Sequence, residues 1–288
     1  MSFHLAGIIP VNGQPFDYNM PWHDCLMPIG QDYLAIERAI VECAYAGCET
    51  IWVVCNDDMQ PLIRHRLGDY VQDPVWVSRQ FEYDRTGRQK PIPIYYVPVF
   101  QKDRNKRDCL SWSILHGATV ATTISSALSR WLKPNKFFVA FPYGIYYFST
   151  WKEYRKNLSS EKKYMLSYNG ETVRDGKYLG FTFSPEDLNK LKSLVHQKST
   201  GLFQDEEQTK RLSTEERFSY RKLSLGEVFG DLEEEEFEKI ESKIYWSIDS
   251  WENYCTYISE KGKESKKPSG YLLSCKEWNG IGIDENDG

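Results

Sequence analysis

A run of basic side chains in the middle of the sequence could bind phosphate groups. Its cationic members are Lys102, Arg104, Lys106 and Arg107. Arginine and lysine bind phosphate oxygens through charge-assisted hydrogen bonds. The run follows IPIYYVPVF, which predicts a β-strand, so it would lie at a ligand-facing end and bind a triphosphate or a phosphorylated acceptor. A solvated surface loop accounts for the same residues equally well.

Acidic side chains in two other segments could hold a cation. Asp17 and Asp24 belong to residues 5–30, LAGIIPVNGQPFDYNMPWHDCLMPIG, which we call the opening segment. Asp57 and Asp58 directly follow the apolar run IWVVC. Carboxylate oxygens are preferred ligands of Mg²⁺, and two or three of these groups could share an ion. For Asp57 and Asp58 a helix cap or a turn is the stronger interpretation.

The opening segment has the layout of a loop that cradles phosphates. An early glycine follows an apolar start, prolines recur through the polar middle, and a helix is predicted just after Gly30. Trp22 in this segment could stack on a base, although a core or interface position is the stronger interpretation. His116, farther along the chain, could touch a base or ribose, and a buried structural role is the stronger alternative.

The elements that would position these residues alternate between strands and helices. Buried strands are predicted over HLAGIIPV, TIWVVC and IPIYYVPVF, with helices between them that end at Gly47 and near Gly68. A helix or bent helix pair over CLSWSILHGATVATTISSALSRWL then leads to a central strand in KFFVAFPYGIYYF. This order predicts an α/β fold with a doubly wound, mostly parallel sheet.

Ligands of such a sheet bind beyond the carboxyl ends of its strands. The residues expected to face this crevice are those that follow Ala6, Cys55, Phe100 and Phe141. After residue 150 the pattern predicts a small mixed β extension, and the acidic run DLEEEEFEKIESK predicts a solvated helix face. We expect a single domain over residues 1–260 and a flexible tail over 261–288.

Composition excludes several classes of partner. The formal net charge of −5 predicts no broad nucleic-acid surface and no attraction to an anionic membrane. Seven scattered cysteines without a CxxC pair argue against a zinc site or a disulfide framework and for a reducing compartment. The sequence has neither a signal-peptide pattern nor an apolar run long enough to span a membrane, so we expect a cytoplasmic location.

The motifs, taken in order, resemble those of the sugar-nucleotide and cytidylyl transferases of the nucleotidyltransferase superfamily, which share a GT-A-like fold. The family's opening motif, LAGGxGTRLxPxTxxxPKxLxPV, is matched by LAG, Pro15, Pro21 and LMPI at 26–29. Later family motifs are matched in the same order by AYAGCETIWVVC, HGATVATTISSAL, YLGFTFSPEDLNKL and YWSIDSWENY. The resemblance covers residues 3–258.

This resemblance implies a set of site residues. The nucleotide-binding residues would be Ala6, Gly7, Gly13, Gly117, Ala118 and Thr119. Asp249 matches an aspartate of the last family motif, which implies a catalytic role and a metal role with Mg²⁺, although a turn residue accounts for it equally well. His23, near the position of the family's lysine, is the second catalytic candidate and would supply positive charge only when protonated, because its unperturbed pKa is about 6.5.

The sequence departs from the family where charge is needed. Ile8, Pro10 and Asn12 stand where the family has glycine, glycine and arginine. The lost glycines limit how closely amides approach phosphates, and Pro10 has no amide hydrogen. Tyr143 and Gly144 occupy the region where the family has a metal-binding aspartate. These departures bear directly on metal-assisted transfer.

Two functions are therefore expected. The resemblance implies a divergent nucleotidyltransferase that joins an NTP to a phosphorylated acceptor, such as a sugar phosphate, with release of pyrophosphate. Residues 1–150 would form the nucleotide-binding half and residues 151–260 the acceptor-side half. The departures favour the alternative of a catalytically inactive protein that binds a nucleotide or sugar nucleotide, or that serves in assembly. The chain also faintly resembles uncharacterised proteins of tailed cyanobacterial phages, which would imply the host cytoplasm.

Overall fold

The computed structural model describes residues 3–13, 20, 22–75, 91–104, 109–128, 133–147, 149–200, 202–205, 208–211 and 223–267. In chain order the strands are β1 (Leu5–Pro10), β2 (Pro28–Gly30), β3 (Tyr33–Leu34), β4 (Thr50–Val54), β5 (Tyr70–Gln72), β6 (Pro91–Val97), β7 (Lys136–Val139), β8 (Gly144–Ile145), β9 (Lys163–Ser167), β10 (Phe181–Phe183), β11 (Leu202–Asp205), β12 (Gln208–Arg211), β13 (Phe237–Glu241) and β14 (Trp246–Ser247). The helices are α1 (Ala35–Ala46), α2 (Gln60–Leu67), α3 (Gln101–Arg104), α4 (Leu110–Leu128), α5 (Ser149–Leu158), α6 (Pro185–Thr200), α7 (Leu225–Phe229) and α8 (Trp251–Lys261).

A central sheet of eight strands confirms the predicted fold class. Its order is β13-β9-β10-β7-β1-β4-β6-β5, with β10 and β5 antiparallel to their neighbours and the other pairings parallel. The central parallel strands β1 and β4 are almost entirely buried because helices cover both faces of the sheet there. β9, β10 and β13, which lie in the predicted β extension and the acidic run after it, belong to this same sheet.

Helices α1 and α4 cover opposite faces of the sheet at β1. A Cβ atom added to Gly7 would lie 2.8 Å from the Cys43 Sγ of α1, whereas the side chain of the next residue, Ile8, meets Gly117 of α4. Consecutive strand residues point to opposite faces, so the two helices sandwich β1. Helix α1 ends where expected, at Gly47, whose left-handed φ of 89° suits glycine.

Several cysteine thiols are buried in the core. Cys25, Cys43 and Cys55 are fully buried, while Cys255 of α8 is exposed. Burial raises the pKa of the Cys25 and Cys43 thiols, and it raises the pKa of Cys55 to about 12. These buried thiols stay protonated at neutral pH and serve as small apolar core groups.

One expectation about the second half needs correction. The acidic run forms a short 3-10 turn, Glu234–Glu236, followed by β13 rather than a helix. Pairing with β9 buries Phe237 and Ile240 and leaves the charged positions of β13 in solvent. The charged side chains of this run face solvent, as expected, but the run forms a strand rather than a helix.

Part of the segment predicted as a tail contacts the domain. Lys267 Nζ lies 2.9 Å from Glu37 Oε1, and Lys266 forms a parallel bridge with Gln31. Tyr257 and Ser265 share a hydrogen bond. Residues 262–267 therefore pack on the domain, and the part of the predicted tail from 268 onward lies outside the described residues. None of the helices within the described ranges combines the length and apolar character needed to cross a bilayer.

Candidate functional site

The carboxyl ends of β1 and β4 open into a cavity of about 350 Å³, which we call the first cavity. The residues that line it include Asn12, Gly13, Trp22, His23, Asn56 and Asp58. The opening segment and the loop after β4 thus meet at the sheet edge where ligands of doubly wound proteins bind. This is the crevice that the order of elements predicts. Strand β1 continues to Pro10, whereas the residues after Ala6 were expected to face the crevice.

Backbone hydrogen bonds hold the start of the opening segment against β4. The amides of Val11 and Asn12 both donate to the Val54 carbonyl oxygen, at 3.0 Å and 2.9 Å. Ser113 Oγ donates to the Asn12 carbonyl oxygen from α4. A phosphate cradle needs inward amides without partners, and these two amides already have one. At Val11 and Asn12, the opening segment therefore lines the first cavity with backbone amides that already have hydrogen-bond partners.

His23 is held as a neutral hydrogen-bonding group. Its Nδ1 accepts from the Cys25 amide at 3.2 Å, which assigns the ring proton to Nε2. Burial lowers the pKa of His23 from its ordinary value of 6.5, and the nearby carboxylates of Asp24 and Asp58 only partly oppose this. The expected positive charge is therefore disfavoured, because the ring loses solvation without gaining a close ion pair.

Trp22 stands beside His23 at the wall of the first cavity. Its side chain is 44% exposed, and Nε1 contacts Met27 Sδ at 3.4 Å. An anchored ring with an open face can stack on a planar ligand. Leu62 of α2, 49% exposed, adds apolar surface to the same cavity. The first cavity thus has the apolar wall and few polar groups that suit a base.

A second cavity of about 280 Å³ lies at the beginning of α4. It is lined by residues that include Cys109, Leu110, Tyr178, Ser224, Leu225 and Asp249. Its walls come from both predicted halves of the chain. Gly13 in the lining of the first cavity packs against Leu110 in the lining of the second: a Cβ atom on Gly13 would lie 2.7 Å from the Leu110 amide nitrogen. Glycine at 13 also adopts a φ of 149° that other residues rarely take.

A two-stranded ladder places Asp249 at the second cavity. β14 pairs with β8, and the Ile248 amide donates to the Tyr143 carbonyl oxygen at 2.9 Å. Asp249 follows at once, and its Oδ1 accepts from Asn253 Nδ2 at 2.8 Å. The carboxylate is therefore held near the region after β7, and its charge is among the causes that raise the pKa of Tyr178, behind burial.

The donor set fits a metal only in part. Within the described ranges no group of three or more His, Cys, Asp or Glu side chains is arranged to hold a metal ion. Asp249 is the carboxylate that lines the second cavity. Mg²⁺ in phosphate-binding proteins commonly takes one or two carboxylates and completes its shell with phosphate oxygens and water. Asp249 therefore fits an ion that arrives with a phosphorylated ligand.

The basic run is only partly within the described residues. Arg104 donates to Asp57 Oδ2 at 2.7 Å and to the Val99 carbonyl oxygen at 2.9 Å. Lys102 Nζ lies 5.5 Å from the centre of the Phe100 ring. Asp57 is thus an ion-pair partner of Arg104, and Asp58 lines the first cavity. Lys106 and Arg107, like Asp17 of the opening segment, lie outside the described residues.

Four of the predicted nucleotide-binding residues lie inside the sheet–helix core, and a fifth, Thr119, is half-buried on α4. Ala6 and Gly7 are in the middle of β1 and pair with strands on both sides. Gly117 and Ala118 lie in the third turn of α4, whereas the family motif implied a helix start. A Cβ on Gly117 would approach Val54 Cγ2 to 2.5 Å, so glycine is needed for close packing. Thr119 Oγ1 donates to the Leu115 carbonyl oxygen at 2.7 Å within the helix. Of the six predicted residues, the structure brings only Gly13 to the cavities.

Asn56 directly follows Cys55, where the crevice was expected, and it lines the first cavity; its carbonyl oxygen accepts from the Met59 and Gln60 amides at 3.1 Å and 2.9 Å. Sequence reasoning missed other wall residues. Ser224 and Tyr178 of the second cavity had no local signal, because they reach it only through folding of distant segments.

The fold is α/β, with an eight-stranded, mostly parallel sheet and a cavity at the carboxyl ends of β1 and β4. A solved structure of a putative glucose-1-phosphate thymidylyltransferase from Bacillus anthracis, in complex with a sucrose, is similar with a TM-score of 0.56 and 9% identity, over 92% of this chain and 97% of that chain. A UDP-glucose pyrophosphorylase complexed with UDP-glucose is similar with a TM-score of 0.52 and 11% identity, over 91% and 100%.

At these identities the likeness shows the fold alone, and it confirms the nucleotidyltransferase-like fold that the motif order implied. Neither a protein-family model nor a curated protein sequence matches this chain. The two structural neighbours lend no support to the resemblance to phage proteins.

Proposed function

We propose that the protein binds an NTP or sugar nucleotide in the first cavity and a phosphorylated acceptor, such as a sugar phosphate, in the second. The observation that carries this proposal is the adjacency of the two cavities across Gly13. A transferase must hold two substrates with their reacting atoms in contact, and two neighbouring cavities at a ligand-binding sheet edge meet that need. The reaction that fits is nucleotidyl transfer.

In this reaction an oxygen of the acceptor phosphate attacks the α-phosphorus of the NTP. The bond from that phosphorus to the oxygen bridging the α- and β-phosphates breaks, and pyrophosphate leaves with the bridging oxygen. Trp22 would stack on the base, and His23 would donate a hydrogen bond from Nε2. Asp249 would hold Mg²⁺, which neutralises charge on the phosphates when bound. The chain contributes mainly by orienting the two substrates.

Pyrophosphate release tests the proposal. Purified protein would be incubated with each NTP, a panel of sugar 1-phosphates and Mg²⁺, and pyrophosphate would be measured. We expect turnover with at least one pair, and we expect Asp249→Asn to lower it by about a hundredfold or more. Glu252→Gln, which removes an exposed carboxylate three residues away, should leave turnover unchanged and serves as the control. Equal activity of Asp249→Asn and the parent protein would reject the role of Asp249.

A second candidate function is nucleotide binding without transfer. The hydrogen bonds from Val11 and Asn12 to Val54, together with a neutral His23, leave fewer groups to stabilise a triphosphate. A thermal-shift series with NTPs and sugar nucleotides, with and without Mg²⁺, separates the candidates, because selective binding raises Tm by mass action. A shift without pyrophosphate release would establish a binder. No shift with any of them would overturn both candidates.

A further inference from the structure

The first cavity contains an exposed carboxylate that the transfer reaction does not use. Asp58 lies in the turn between β4 and α2, lines this cavity and is exposed. The amides of Met59 and Gln60 close the turn by donating to the Asn56 carbonyl oxygen, at 3.1 Å and 2.9 Å. The backbone of the turn therefore fixes the position of Asp58. Because Asp58 is exposed, a ligand in the first cavity can contact its carboxylate directly.

The structural roles expected of Asp58 are taken by its neighbours. Asp57 pairs with Arg104 Nη2 at 2.7 Å. The N-cap residue of α2 is Met59, and its side chain forms no capping hydrogen bond. Within the described ranges the Asp58 carboxylate has neither a hydrogen-bond partner nor an ion-pair partner. Asp58 is therefore available to a ligand, whereas Asp57 is already paired.

His23 supplies a hydrogen-bond donor to the same cavity. Its Nδ1 accepts from the Cys25 amide, so the ring proton is on Nε2. Burial lowers the pKa of His23, and the charge of Asp58 is among the causes that oppose this, so the two groups lie within electrostatic range of each other. Trp22 lines the cavity beside His23 with a ring that is 44% exposed. An acceptor, a donor and a stacking surface are thus gathered in one cavity.

A carboxylate distinguishes between bases because it only accepts hydrogen bonds. On its Watson–Crick edge, guanine has two adjacent nitrogen donors, N1–H and the 2-amino group, beside the O6 acceptor. In adenine and cytosine the amino group is next to an acceptor nitrogen, and in uracil the N–H lies between two carbonyl oxygens. An acceptor placed against the carboxylate is repelled, which disfavours these three bases. Asn12 and Asn56 also line the cavity, but an amide can donate or accept and so selects less strongly.

We propose that the first cavity selects guanine nucleotides, with the Asp58 carboxylate accepting from N1–H and the 2-amino group and His23 Nε2 donating to O6. Trp22 stacks on the base. This inference rests on the proposed function, because it names the base of the nucleotide placed in the first cavity. Asp58 acts as a specificity-determining residue and takes no part in the transfer step.

Calorimetry with GTP, ATP, CTP and UTP at one Mg²⁺ concentration tests the selection of the base. We expect GTP to bind at least about tenfold more tightly than each of the other three, since hydrogen bonds to a charged group are stronger than neutral ones. ITP, whose base lacks the 2-amino group, should bind about tenfold more weakly than GTP because one of these bonds is lost. These comparisons use the parent protein, so they do not depend on the folding of a variant.

An Asp58→Asn variant assigns the selectivity to this residue. Asparagine is well tolerated in turns, so the variant should fold as the parent protein does. Its amide group can place a donor against guanine N1–H, so GTP should lose its advantage over ATP and over ITP. Asp57→Asn changes the adjacent carboxylate in the same way and is the matched control. It should keep the parent protein's ratio of GTP to ATP affinity.

The outcomes separate this inference from the proposed function. NTPs that bind without a preference for GTP would overturn the inference and leave the proposed function standing. That result is expected if Asp58 contacts the ribose, which all four nucleotides share. A preference for GTP that survives in Asp58→Asn would also overturn the inference. No binding of any NTP would overturn the proposed function and this inference together.

Discussion

His23 is held in the wall of the first cavity as a neutral ring, and this has a measurable effect on stability. Burial lowers its pKa below the ordinary value of 6.5, so the unfolded chain binds more protons than the folded chain in the interval between the two values. Stability contributed by neutral His23 is therefore fully present above pH 6.5 and is lost as pH falls through this interval. Protonation would also remove Nδ1 as acceptor for the Cys25 amide.

We predict that His23→Asn flattens this part of the pH profile. Asparagine does not titrate, and its side-chain oxygen can still accept at the start of the Asp24–Leu26 turn. Urea unfolding between about pH 5 and about pH 8 should show that the parent protein loses more stability on acidification than the variant. His116, whose pKa burial also lowers, is present in both proteins and cancels in the comparison. Parallel pH profiles for the two proteins would contradict the prediction.

The sequence predicts chemically suitable residue types better than it predicts their hydrogen-bond state. The family resemblance implied roles for Asp249, Gly13 and His23, and all three line the cavities. The neutrality of His23 depends on burial, which the local sequence does not show. The engagement of the Val11 and Asn12 amides depends on where β4 ends, some forty residues away. Such long-range pairings are set by the assembled sheet.

The sequence predicted helix α4 correctly, but it did not predict where the motif around Gly117 lies within the helix. HGATVATTISSAL was matched to a helix start, but α4 begins at Leu110, so Gly117 lies inside the helix. Glycine inside a helix is unfavourable by about 1 kcal/mol relative to alanine. Here it lets α4 approach β1 and β4 closely, with Ile8 and Val54 against it.

We predict that Gly117→Ala lowers the free energy of unfolding by about 1–3 kcal/mol, because overpacking against Val54 outweighs the gain in helix propensity. Chemical denaturation would measure the change. Thr123→Ala on the exposed side of the same helix is the control and should change stability little or raise it. If Gly117→Ala were as stable as the parent protein, the glycine would not be required by packing.

The acidic run shows that local sequence does not decide between a helix and a strand in this segment. Phe237 and Ile240 are spaced three residues apart, which is compatible with a helix face, and the surrounding glutamates suggest a solvated helix. The segment instead pairs in parallel with β9 over Phe237 to Glu241. An open edge of the sheet is available there, and satisfying its backbone groups outweighs local propensity.

At the scale of the whole molecule, the α/β sheet was predictable because its central strands are apolar runs flanked by helices with clear stops. The position of β10, antiparallel between β7 and β9, was not, since nothing within Phe181 to Phe183 specifies its neighbours. The contacts made by part of the predicted tail were not predictable either. Residues 262–267 are polar in sequence, yet Lys267 pairs with the fully buried carboxylate of Glu37.

We predict that a chain ending at Lys261 is less stable than a chain ending at Lys267 by about 1–3 kcal/mol, because the shorter chain loses the Lys267–Glu37 ion pair and the Tyr257–Ser265 hydrogen bond. Thermal and urea unfolding of the two truncated proteins would measure this difference directly. Equal stabilities would mean that residues 262–267 rest on the domain without contributing to it.

The native cysteines allow opening of the folded domain to be measured by thiol modification. Cys255 is exposed and can react with a thiol reagent in the folded state, whereas Cys25, Cys43 and Cys55 are buried with raised pKa values. Thiol reagents attack the thiolate, so the buried groups react only when the domain opens. Mass spectrometry would count the modified thiols at successive times. The rate of modification of the buried thiols gives the frequency of opening at the centre of the sheet, and no substitution in the chain is needed.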